Sequence, residues 1–86
     1  MKRTDVTYGH LDKVLLRLGF KCRIVKRRVE SRVYEHEQRP EAMIVLPALP
    51  ESDEVLDYHL VGVRTTLDLN GIIEPTEFAA KLQKAG

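Results

Sequence analysis

The stretch "FKCRIVKRRVESRVYEHE", Phe20 to Glu37, decides how this chain folds. In its first six residues Phe20, Cys22 and Ile24 alternate with Lys21 and Arg23, the period of two that marks a strand with one face buried. "SRVYEH", Ser31 to His36, repeats the alternation with residues that favour a pleated surface. "KRRVE", Lys26 to Glu30, joins the two. On this pattern Cys22 is expected to be a small core residue beside Phe20 and Ile24.

Working back from Phe20, the period changes. Leu11, Val14, Leu15 and Leu18 stand at i, i+3, i+4 and i+7, one face of a helix, with Thr7 as N-cap and Gly19 as stop. Asp12, Lys13 and Arg17 are expected on its outer face. Working forward, "EQRPE" (37–41) is short enough for a hairpin turn, and "AMIVLP" (42–47) is a third, almost wholly apolar strand. "PALPESDE" (47–54) then breaks the pattern before a helix carrying Leu56, Leu60, Val63 and Leu67, capped by Ser52 or Asp57 and ended by Asn70-Gly71. "EPTEFAAKLQKAG" (74–86) predicts a short last helix with Phe78 and Leu82 inward and Pro75 in its first turn. Three consecutive strands should form an antiparallel meander with helices over one face, an α+β two-layer domain.

Size and composition bound the rest. Eighty-six residues make one domain, 1–86, able to bury only about 60% of what the unfolded chain exposes. No apolar run approaches the roughly 20 residues of a membrane span, and the start "MKRTDVTYGH" has no secretory apolar run. Cys22 is the only cysteine, so an intrachain disulfide is excluded and a reducing cytoplasm is the expected setting. His10, His59 and His36 are scattered, without metal-ligand spacing, and no glycine-rich phosphate loop exists, so neither metal nor cofactor is expected. Glu35, Glu37 and Glu41 are expected to form a solvated polar edge.

Charge is unevenly placed. Residues 1–32 hold ten Lys/Arg against three Asp/Glu, a net +7, and residues 33–86 hold four against ten, a net −6. The basic half peaks at Lys21, Arg23, Lys26, Arg27, Arg28 and Arg32, a candidate face for RNA or for an acidic protein. The opposing expectation is that the two halves fold together and neutralise each other.

The opening "LDKVLLRLGF", a third strand ending "VLP" and the tail "VRTTLDLNGIIEPTEF" resemble, in this order, the HicA toxins of bacterial HicA–HicB toxin–antitoxin pairs, over roughly Leu11 to Leu82. The resemblance implies a double-stranded-RNA-binding-domain-like fold, ribosome-independent mRNA cleavage and silencing by a HicB-like antitoxin. Family members open the second strand with Gly-Ser-x-His or Gly-Ser-His, whose histidine is held responsible for cleavage. Here Val29 replaces the glycine, and the histidine position falls on Ser31 or Arg32. Where many members place a histidine after the proline closing strand three, Pro47 is followed by Ala48 and Leu49. Proton transfer near neutral pH suits an imidazole; serine needs a neighbouring base and arginine keeps its proton. The expectation is therefore a HicA-like binder of RNA or antitoxin with cleavage lost or weakened. Ser31 and His36 remain as candidates for a rearranged ribonuclease, and a protein-interaction module without RNA affinity is the third reading. An exposed edge strand makes a homodimer an expected arrangement.

Overall fold

The computed structural model describes residues 3–84, and places eight elements in order. Strand β1 is Arg3–Thr7, helix α1 is Tyr8–Arg17, and strands β2, β3 and β4 are Phe20–Lys26, Glu30–His36 and Ile44–Pro47. Strand β5 is Glu54–Leu56, followed by helices α2, Asp57–Leu69, and α3, Pro75–Lys84. The α+β two-layer architecture expected from the sequence is present. β2, β3 and β4 form an antiparallel meander in that order, with Phe20 opposite His36, Cys22 opposite Tyr34 and Val33 opposite Val45.

Register fixes the two faces. Phe20, Tyr34, Ile44 and Leu46 point to the helices, where they are buried with Leu11, Val14 and Leu15 of α1, Val63 and Leu67 of α2, and Phe78 and Leu82 of α3. The other face carries Lys21, Arg23, Ser31, Val33, Glu35 and Val45. The expected caps are in place. Thr7 accepts a hydrogen bond from the His10 amide at 3.2 Å, and Gly19 and Gly71 take φ of 100° and 66°, the left-handed geometry that ends α1 and α2.

Three expectations need correction. First, β1 and β5 form a separate two-stranded ribbon, and the "PALPESDE" segment contains the start of β5 rather than only a loop. Because β1 runs directly into α1 and β5 into α2, the ribbon ties the two helix starts together, and the amides of Tyr8 and Gly9 continue the tie by donating to the carbonyls of Asp53 and Glu51. The entry to α2 is held by this backbone: Leu56 is its N-cap without a side-chain cap bond, so Ser52 does not cap it, and Asp57 accepts from the next amide, Tyr58.

Second, Cys22 is exposed and Ile24 is 48% exposed, although both lie on the helix side of β2. The ten residues of α1 span about 15 Å, whereas each seven-residue strand of the β2–β3 hairpin spans about 23 Å. The shortfall falls on the edge strand β2: in the same cross-strand rows as Cys22 and Ile24, Tyr34 of β3 and Leu46 of β4 are 1% and 4% exposed. Third, Asp12 does not simply face water: its carboxylate accepts a 2.7 Å hydrogen bond from the Tyr34 hydroxyl.

Candidate nucleic-acid interface

The projecting end of the β2–β3 hairpin holds the residues that the sequence singled out. Its strands pair without interruption from Phe20–His36 to Lys26–Glu30, and three residues, Arg27, Arg28 and Val29, turn the chain. All three are exposed, Val29 to 70%.

The six cations do not act alike. On the open face Lys21 reaches diagonally to Glu37 at 2.5 Å, and the Arg23 Nε donates to Glu35 at 2.6 Å. Beside the turn, Lys26 stands 3.8 Å from Glu30. The Lys21 contact holds the Glu37 carboxyl below its ordinary range and raises the Lys21 ammonium. The expected neutralisation of the basic segment thus occurs for half of it, and the carboxylates come from β3 and the residue just after it rather than from the acidic helices. Among the described residues Arg27 and Arg28 have no carboxylate within ion-pairing distance, leaving two uncompensated charges at the tip.

Arg32 is different again. It lies on the helix side, two residues along β3 from Tyr34 and its bond to Asp12, and its Nε is enclosed without a hydrogen-bond partner. Its partial burial opposes the charged form, but contact with Tyr34 and the negative charge of Asp12 outweigh this and hold the guanidinium charged. Burial first, and then the bond to Asp12, push the Tyr34 hydroxyl well above its usual value. The guanidinium, fixed in its charge, can hold an anion, but neither it nor a phenol that keeps its proton exchanges protons near pH 7.

The two catalytic candidates are not brought together. Ser31 is half-buried on the open face, between Val25 and Pro47. His36 is five residues further along β3, about 16 Å away, and points to the opposite face. Both of its ring nitrogens are occupied: Nε2 lies 2.9 Å from the Leu18 carbonyl and Nδ1 accepts from the Gln38 amide at 3.2 Å. Its ring meets Phe20 edge-on at 5.0 Å between centroids. His36 is therefore a clasp on the turn between α1 and β2, and it lies so close to Gly19 that a Cβ there would meet its Nε2 at 3.1 Å. His36→Ala should lower the unfolding free energy by about 1–3 kcal/mol, since the Leu18 carbonyl loses its donor. Urea titration checks this, with RNA affinity of the folded variant unchanged.

His10 and His59 belong to the helical layer, across the sheet from Ser31. His59 Nδ1 lies 3.1 Å from the Tyr8 hydroxyl, and His10 Nε2 is enclosed without a partner. Among the described residues no imidazole stands beside Ser31 or Arg32. Among the described residues no cluster of three or more His, Cys, Asp or Glu could hold a metal ion, and no helix is long and apolar enough to cross a membrane. No family model, curated protein or solved structure matches the chain.

Sequence reasoning missed the Tyr34–Asp12 bond and the Tyr8–His59 bond. Both join residues far apart in the chain, 22 and 51 positions, and no local pattern announces them.

Proposed function

We propose that this chain is a HicA-like, cytoplasmic, bacterial-type protein that binds RNA through the tip of the β2–β3 hairpin and has lost efficient cleavage. The observation that carries this reading is the pair Arg27 and Arg28, exposed and uncompensated on a three-residue turn, with Arg32 held charged behind them. Cations at a narrow projecting tip suit backbone phosphates of a duplex, which is read by shape more than by sequence. Loss of cleavage rests on Arg32 and Ser31 standing where the resembling family keeps its histidine, with neither able to shuttle a proton unaided.

A HicB-like antitoxin is the second reading, favoured by Val29 and Ile24, which are 70% and 48% exposed among the same arginines. Apolar side chains between cations suit a protein surface better than a phosphate backbone.

Filter binding of a labelled RNA hairpin, followed by a denaturing gel of the same RNA, tests the proposal. The expected result is retention that weakens steeply with salt and RNA that remains intact. Retention indifferent to salt, or none at all, removes the RNA reading. Rapid cleavage that His36→Ala abolishes in a folded variant restores the enzyme.

A further inference from the structure

The two edges of the three-stranded sheet are built differently. β2 lines its edge with Lys21, Arg23 and Lys26, charges that discourage pairing with another chain. β4, the opposite edge, carries no charged residue: it reads Ile44-Val45-Leu46-Pro47, preceded by Met43. Between β4 and α2 runs a groove of about 220 Å³ lined in part by Met43, Val45, Tyr58, His59, Gly62 and Thr66. None of its lining residues carries a fixed charge, in a chain of which 31% of residues are charged. Met43, Val45 and Tyr58 are each more than half exposed, at 53%, 56% and 51%.

The hydrogen-bonding groups of this edge follow from the register. The Ala48 amide donates to the Glu30 carbonyl, which fixes Ala48, Leu46 and Ile44 as the positions whose backbone groups turn toward β3. Met43, Val45 and Pro47 turn theirs outward. Pro47 thus occupies a position where no amide is needed for the ladder.

We infer that the β4 edge pairs with the β4 edge of a second copy of this chain, through a two-fold axis at Val45, independently of the RNA reading above. In that register the two Val45 residues exchange both of their backbone hydrogen bonds, and each Met43 amide donates to the carbonyl of the other copy's Pro47. The missing amide of Pro47 falls opposite only the Met43 carbonyl, at the end of the seam, where water reaches it. The absence of charge selects a second copy as the occupant. A two-fold contact brings each residue near the axis against its own duplicate, so any charge there would repel itself, and this edge holds none. Gly62, with nothing within 4 Å of the place a Cβ would take, leaves α2 open along the seam. The product is a continuous six-stranded sheet with both arginine tips directed outward.

Sedimentation equilibrium from micromolar to millimolar concentration tests this. The expected species has twice the 9.9 kDa chain mass. Val45→Pro removes the two central hydrogen bonds while sparing the β3 ladder, because the Val45 amide faces away from it, and should weaken association about 30-fold. Val45→Lys sets two like charges across the seam and should leave a monomer with the circular dichroism of the parent, so the question stays answerable if the proline variant folds poorly. A parent chain that is monomeric at millimolar concentration overturns the assignment. So does a dimer that survives Val45→Lys, or a Val45 amide protected from exchange only after another protein is added.

Discussion

Phe78→Ala is expected to lower the unfolding free energy by about 3–5 kcal/mol. Phe78 is 2% exposed and joins α3 to the cluster that includes Leu11, Leu15, Leu67 and Tyr34. Truncating it removes the transfer free energy of a ring and leaves a cavity whose walls, belonging to two other helices and the sheet, cannot all collapse inward. A domain of this size holds a net stability of about 5–15 kcal/mol, so the loss is a large share of the whole. Urea titration followed by circular dichroism gives the value. Leu69→Ala is the matched control: Leu69 is 80% exposed, and its removal should fall within about 0.5 kcal/mol of the parent. A Phe78 effect as small as that of Leu69 would mean that α3 is an appendage and not part of the core.

The second large effect concerns binding. Changing Arg27 and Arg28 together to alanine should abolish most RNA retention near physiological salt, with the slope of log affinity against log salt falling by about 1.4–1.8, the value for two lost phosphate contacts. Arg23→Ala should do far less. Its charge is already matched by Glu35, so removing it frees a carboxylate as well as losing a cation. Sequence counts these three arginines alike; the ion pairs separate them. Equal losses from Arg23→Ala and from Arg27→Ala would show that the open sheet face, not the tip, meets the RNA. Unchanged circular dichroism is expected throughout, because all three side chains lie on the surface.

Much of the fold was legible in the sequence because it is written in local periods. The 3–4 spacing of Leu11, Val14, Leu15 and Leu18, the alternation through Phe20–His36 and the turn at Asn70-Gly71 are short-range signals, and each element they imply is present. β1 and β5 were not legible. Three to five residues long and paired about fifty positions apart, they have too little pattern to stand out from a loop. Cys22 and Ile24 show the complementary failure. Alternation says which side of a strand faces the helices, but not how far the helices extend, and these two lie beyond the cover.

The candidate site was legible by residue type and not by state. Sequence located the six cations. Only the folded arrangement shows that Lys21, Arg23 and Lys26 are matched by glutamates in β3 or just after it, that Arg32 sits on the opposite face beside Tyr34 and Asp12, and that His36 is spent on holding the turn after α1. Cross-strand pairing depends on register, which a three-residue connection without an Asn-Gly signal leaves open.

The ribbon of β1 and β5 carries a consequence for how the chain is made. As the polypeptide leaves the ribosome, Arg3–Thr7 has no strand to pair with until Glu54–Leu56 has emerged, whereas Phe20–Lys26 and Glu30–His36 meet across only three residues. Contacts of long sequence separation close slowly and local ones quickly. The arginine-tipped hairpin is therefore formed while β1 is still waiting for β5, and the ribbon that ties the two helix starts is fastened late.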